Sequence, residues 1–300
     1  MRIVLTNLSN KLYEESRLRL NASAAKFGID DVRSYDFEDI RKTSFYTENR
    51  EILDEPAGMG YWLWKPYVIL EALKSLPEDG LVVYSDSGIE IIASLDPLLR
   101  ICEEGPPVIL FGNGDHLNSM WTKRDCFILM GCDTEYYWRS PQCDAAFGIF
   151  RKCDLSLKFV EEWLQYCRDP RILTDLPNTC GKHDLPDFLG HRWDQSVLSL
   201  MAQKFRLPLY RMPTQFGNHY KMHPFRVDKE LNCINQYDQS PVHYYAAIPY
   251  YNSPYFQLLD HHRGKNKAMV VRKKKTPFVI RIIQKRYRRL VNTIALWREQ

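Results

Sequence analysis

The sequence predicts a single α/β domain built on a mostly parallel sheet. Short apolar runs at 81–85 (LVVYS), 107–112 (PVILFG) and 145–150 (AAFGIF) read as buried strands. Stretches with apolar residues at helical spacing alternate with them, the signature of a layered α/β architecture. The 300 residues are 45% hydrophobic and 26% charged, enough to bury a sizeable core, and no internal repeat divides them.

In chain order, residues 2–6 (RIVLT) form a first strand and Lys11–Phe27 a helix. Residues 32–37 (VRSYDF) read as a second strand, and the polar stretch 38–58 as an irregular loop. Pro66 suits the first turn of a helix, where its missing N–H costs nothing, and Ile69, Leu73 and Leu76 follow at helical spacing. The break at 77–80 (PEDG) precedes the strand 81–85. Leu155–Cys167 is amphipathic and helical, and Asp194–Lys204 is a further helix with Val197, Leu198 and Met201 on one face. Residues 205–262, rich in Tyr, His, Pro and Asn, are expected to pack irregularly onto the sheet.

Charge divides the chain into 1–262 and 263–300. The tail holds thirteen Lys/Arg and one acid, so an acidic body of net charge −8 carries a tail of +12. Past Pro277, Val279, Ile283, Tyr287, Leu290, Ile294 and Trp297 recur at helical spacing among Lys285, Arg286, Arg288 and Arg289. A basic amphipathic helix over 277–300 is the expectation, lying on an anionic membrane surface. Docking on the acidic body and nucleic-acid binding are the alternatives, and no recognised nucleic-acid-binding module accompanies them. The eight cysteines include no CxxC pair, no apolar run is long enough to span a bilayer, and the N-terminal apolar stretch is too short for a signal peptide. The chain therefore reads as a cytoplasmic protein with reduced thiols, peripheral on the inner face of the membrane.

Three segments carry candidate chemistry. Asp86 follows the buried strand 81–85 in VVYSDSG, where a carboxylate emerges at the end at which open α/β sheets bind ligands. With Ser87 and Gly88 it suits a metal-bound ligand; a turn aspartate is the plainer alternative. Just upstream, Trp62, Trp64, Lys65 and Tyr67 cluster behind Gly58 and Gly60, which loosen the chain. Lys65 at a helix start suits a diphosphate, with aromatic faces for a ring beside it; a core cluster capped by a solvated lysine is the alternative. In HRWDQSVLSL, His191, Arg192, Asp194 and Gln195 crowd ahead of an apolar helix, more polar groups than an N-cap requires. Lys123 and Arg124 in MWTKRDCF are weaker candidates for an acidic ligand.

These stretches in this order, GYWLWKPYVILEAL, VVYSDSG, WTKRDCF, FGIFRK, EEWLQYC and HRWDQSVLSL, resemble GT-A-type glycosyltransferases with a DxD-like motif from bacterial and viral polysaccharide biosynthesis. The resemblance spans about residues 1–262 and implies a GT-A-like, Rossmann-like domain. It further implies metal-assisted transfer of a hexose from a nucleotide sugar, a UDP-sugar by preference, to a hydroxyl of a glycan or lipid-linked acceptor. Retention is the expected outcome. Asp86 is then the first carboxylate of the motif and a ligand of Mn or Mg, and Asp194 and Gln195 form the catalytic pair facing donor sugar or acceptor. The donor-binding set is Thr6, Trp64, Lys65, Tyr67, Asp86, Ser87, Gly88, Lys123, His191 and Arg192. The sequence departs from the motif at its third position, Gly88, so a second metal ligand is sought in Glu90, on the same strand face if the strand continued, or in His219 or His223. The competing class is a nucleic-acid-binding or scaffold protein using the basic tail on a catalytically degenerate α/β domain.

Overall fold

Alternation along the strands decides the layers. In β3 (Leu81–Ser85), Leu81 and Val83 point to one face and Val82 and Tyr84 to the other, and all are buried. A strand covered on both sides sits inside a sheet with helices above and below. The computed structural model describes residues 1–218, 225–227, 233–235, 252–262 and 264. The expected tail helix at 277–300, His219 and His223 lie outside the described residues.

The central sheet has six strands: β1 (Ile3–Ser9), β2 (Asp31–Asp36) and β3, then, past the two-residue β4 (Glu90–Ile91), β5 (Val108–Leu117), β6 (Pro141–Arg151) and β7 (Leu209–Arg211). Their spatial order is β2-β1-β3-β6-β5-β7, and only β6 runs antiparallel to the rest. The expected mixed α/β fold with a mostly parallel sheet is what the chain adopts. β8 (Phe225–Val227) pairs antiparallel with β9 (Cys233–Asn235), and β10 (Leu259–Asp260) with β4.

One face of the sheet is covered by α1 (Glu14–Lys26), through Leu20 and Ala24. The opposite face receives α2 (Trp64–Lys74), through Val68, Ile69, Ala72 and Leu73. The first face also holds α3 (Asp96–Glu104), with Leu98, Leu99 and Cys102 inward; Pro97 sits in its first turn, a helix the apolar spacing alone did not announce. The second face is completed by α4 (Asp154–Cys167), with Phe159, Val160 and Trp163, and α5 (Trp193–Lys204), with Val197, Leu198 and Met201.

The stretch 38–58 is not an irregular loop. Asp36 caps a helical turn at Phe37–Arg41 in a capping box, and Thr43 caps another at Ser44–Glu48 by accepting from Tyr46 N. With a third turn at Arg50–Leu53, which has no side-chain cap, these short helices bury Ile40, Phe45, Ile52 and Leu53 against α2 and its neighbours, so caps and buried apolar residues together turned a polar segment into ordered structure. Cys102, Cys126, Cys132, Cys143, Cys153, Cys167 and Cys180 are free thiols. No helix among the described residues is long and apolar enough to cross a membrane.

Candidate active site

The order of strands reverses between β1 and β3: the chain passes from β1 outward to β2 and returns to lay β3 on β1's other side. Such a reversal opens a crevice beyond the carboxyl ends of the two strands. A cavity of about 1060 Å³ lies there, lined by Leu8, Ser9 and Asn10 after β1 and by Asp86, Ser87 and Gly88 after β3. Ser87 Oγ ties the two ends together by donating to Leu8 O at 2.9 Å. Because β6 runs antiparallel, its early residues, Asp144 to Ala146, reach the same end of the sheet and line the cavity too.

At its floor stands Lys65, buried in the first turn of α2. Its Nζ lies 2.9 Å from Asp194 Oδ2 and 3.5 Å from Asp86 Oδ1, and it donates to Ala145 O at 3.0 Å. Tyr84, fully buried at the end of β3, donates its hydroxyl to Asp86 Oδ1 at 2.6 Å. Asp194 Oδ2 accepts no hydrogen bond of good geometry and is held by the ion contact with Lys65. Arg192, not Asp194, occupies the N-cap position of α5, so Asp194 is not an ordinary cap.

Burial and charge pull these groups in different directions. Burial pushes the Asp194 carboxyl up to about 6, against the downward pull of Lys65, and the neighbouring Asp86 charge adds to the rise. Lys65 suffers burial as well, but Asp194, Asp86 and Asp144 together outweigh it, and its ammonium is held above its ordinary value. The asymmetry is physical: one lysine faces three carboxylates, while Asp194 has one cation and a like charge nearby. Lys65 is therefore firmly charged and Asp194 is the group that titrates. Burial, then Asp86, raises the Tyr84 phenol well above its usual range, so it remains a proton donor.

Aromatic side chains form the other wall. Gly58, Met59, Gly60, Tyr61 and Trp62 all have left-handed φ, from 52° to 88°. For the three that are not glycine this costs roughly 1–2 kcal/mol each. The two glycines do not loosen the chain, as expected from the sequence, but permit a tight left-handed turn: a Cβ on Gly58 would lie 2.2 Å from the Trp62 ring, and one on Gly60 2.6 Å from Leu53 Cα. The turn lays Trp62 on Trp193, ring centroids 5.1 Å apart and 24° between planes. Trp64 is buried below, its Nε1 donating to Gly58 O at 3.0 Å.

Of the residues singled out in the sequence, Trp64, Lys65, Asp86, Ser87, Gly88, Arg192, Asp194 and Gln195 line this one cavity. Lys65 is turned away from solvent towards carboxylates, so it is not the open phosphate partner expected at a helix start. Gln195 donates to Gln142 Oε1 at 2.8 Å, which fixes its amide. Arg192 lies over the Trp121 ring at 4.0 Å.

Five others stand elsewhere. Thr6 is buried in β1 and donates to Arg33 O at 3.3 Å. Tyr67 stacks on Phe45 with centroids 4.0 Å apart. Lys123 is buried and donates to Thr174 O at 2.8 Å and Leu176 O at 3.0 Å, pinning the segment that leads to α5. His191 contacts Ile172 O through Nε2 at 2.9 Å, and burial, with Lys123 nearby, pushes it down to about 3, so it stays neutral. Glu90 does not share a strand face with Asp86: β3 ends at Ser85, a turn follows, and Glu90 ion-pairs with Arg19.

Asp144 was not read from the sequence, although an acid directly ahead of the apolar run AAFGIF was the available signal. Among the described residues no group of three His, Cys, Asp or Glu side chains is placed to hold a metal. Asp86 and Asp144 do supply two cavity carboxylates, the donor set of a cation that takes one or two carboxylates and completes its shell with water and phosphate oxygens.

No protein-family model matches the chain, and no curated protein matches it. Among solved structures, the apo WbbM bifunctional glycosyltransferase is similar at 12% identity and a TM-score of 0.40, over 67% of this chain and 37% of that one. Apo mouse xyloside xylosyltransferase 1 is similar at 10% identity and a TM-score of 0.41, over 87% of this chain and 97% of that one. Apo GlyE of Streptococcus pneumoniae TIGR4, a glycosyltransferase, is similar at 12% identity and a TM-score of 0.38, over 87% and 54%. The chain thus spans little more than a third of the first of these proteins and about half of the third. Likenesses this distant do not decide the chemistry, which rests on the cavity itself.

Proposed function

We propose that this chain is a retaining glycosyltransferase that moves a hexose from a UDP-sugar to a hydroxyl of a glycan or lipid-linked acceptor. The observation that carries the reading is the strand-end Asp86, in the crevice between β1 and β3, joined through buried Lys65 to Asp194. The cavity's volume suits a nucleotide sugar. At the β1 end, the Ser9 hydroxyl is buried with no hydrogen-bond partner among the described residues, an unmet polar group for the nucleoside. Arg192, backed by Trp121, supplies a cation for the diphosphate in place of Lys65.

Three carboxylates surround one lysine, so the floor keeps a negative surplus. Such a surplus draws in a divalent cation, and the Asp194 carboxylate is the one left to face positive charge growing at the anomeric carbon as its bond to the diphosphate breaks. Asp194 contributes when ionised, and Gln195, fixed by Gln142, orients the sugar or acceptor hydroxyl. An inverting transfer needs an ionised base facing the acceptor, whereas Asp194 is buried against Lys65, which favours retention. Mn or Mg, held by Asp86 and Asp144, would offset the diphosphate's charge and improve it as a leaving group.

The test is release of UDP from a panel of UDP-sugars with Mn present, for the native chain and Asp86→Asn. Folded Asp86→Asn protein is expected to lose both donor hydrolysis and transfer. Near-native turnover in that variant would make Asp86 a turn residue and the reading wrong.

A further inference from the structure

We propose that the Trp62–Trp193 pair is a platform for the acceptor, and that the acceptor unit stacked on it is a sugar ring. The inference rests on the glycosyl-transfer reading above. Trp163, which serves only the core, is 1% exposed, and Trp64 at the cavity's base is 2% exposed. Trp62 and Trp193 pack on the same core but remain half-buried, and both line the cavity.

Their placement is enforced rather than incidental. Each has a left-handed backbone, φ 59° at Trp62 and 50° at Trp193, a conformation that persists only where the surroundings impose it. Gly58 has no Cβ to collide with the Trp62 ring, and Asp175 Oδ1 accepts from Trp193 Nε1 at 3.0 Å, fixing the second ring. The result is an aromatic surface set before any ligand arrives. A sugar ring offers a face of C–H bonds to the negative face of an indole, which a peptide or phospholipid hydroxyl does not.

Position separates this surface from the nucleoside end. Trp193 directly precedes Asp194 and Gln195 on α5, which packs on β6, whereas Ser9 stands at the end of β1 with β3 between. A ring stacked on the pair therefore lies beside the reacting groups and away from the base.

The experiment uses the full chain with cellobiose, lactose, maltose and N-acetyllactosamine as probes, by saturation-transfer NMR and calorimetry, and UDP as a separate ligand. At least one disaccharide is expected to bind the native protein. Trp62→Leu should weaken it roughly tenfold, Trp62→Phe should restore most of the loss, and UDP affinity should hold in both. Gly58→Ala, which displaces the Trp62 ring without removing it, should match Trp62→Leu. Unchanged disaccharide affinity in Trp62→Leu, or no binding by any of the four, overturns the platform. A parallel loss of UDP binding also overturns it, since the pair would then stack the nucleobase. A native protein that binds a disaccharide but no nucleotide keeps the platform and sinks the donor reading instead.

Discussion

Removing the Lys65 ammonium would leave Asp194 and Asp86 facing each other where water is scarce. Breaking a buried ion pair from one side costs about 3–5 kcal/mol, so Lys65→Met should be much less stable than the native chain at pH 7.5. Lys65 holds the Asp194 carboxyl down, so without it that group takes up a proton more readily still. The deficit should shrink as pH falls towards 6, over the range in which Asp194 is already protonated in the variant and still ionised in the native chain, which melting curves at pH 7.5 and pH 5 would show; an equal deficit at both would mean the loss is one of packing. Under the proposed function the sign for activity in the native chain is opposite. Asp194, pushed up to about 6, must be ionised to act, so turnover should fall on the acid side of a pH profile near that value. A rate flat down to pH 4.5 would remove Asp194 from the reaction. These residues were legible because their signals are local: an aspartate after a buried strand, and polar groups crowded at a helix start. Lys123 and His191 misled for the converse reason. Their partners, the carbonyls of Thr174 and Ile172, are about 50 and 19 residues away, and nothing in the neighbouring sequence announces them.

At the scale of elements, the left-handed turn 58–62 was the least legible feature. Its glycines read as looseness, whereas φ of 88° at Gly60 and the Leu53 backbone 2.6 Å from a would-be Cβ make them a rigid requirement. Gly60→Ala should therefore destabilise the protein by roughly 1–2 kcal/mol from backbone conformation alone, with the clash added. Denaturant unfolding measures it, and a neutral or stabilising effect would mean that the turn relaxes easily. The strands and the helices α2, α4 and α5 were readable from periodicity. The short helices within 37–53 were not, because they are too short to show an apolar stripe and side-chain caps hold the starts of the first two. The same limit applied to β7, whose three residues are too few to show a period.

For the molecule as a whole, the opposed charges of body and tail remain the main unexplained asymmetry of the sequence. We propose that residues 277–300 hold the protein on an anionic membrane surface. Basic residues there contribute about 1 kcal/mol each at most, and the apolar positions add burial at roughly 25 cal/mol per Å². Truncation after Lys275 should abolish co-sedimentation with anionic vesicles and leave transfer to a short soluble acceptor intact. Native protein that stays in the supernatant would exclude the membrane role. The central claim, that the crevice between β1 and β3 takes a nucleotide sugar on Asp86, is tested most directly by ligand-induced stabilisation. A ligand that binds only the folded state raises its stability by mass action. Melting temperatures of the native chain and Asp86→Asn should be measured with UDP- and GDP-sugars, with and without Mn. One UDP-sugar should raise the native melting temperature in a Mn-dependent way and leave Asp86→Asn unmoved; no shift with any nucleotide sugar, or an equal shift in the variant, would contradict the account.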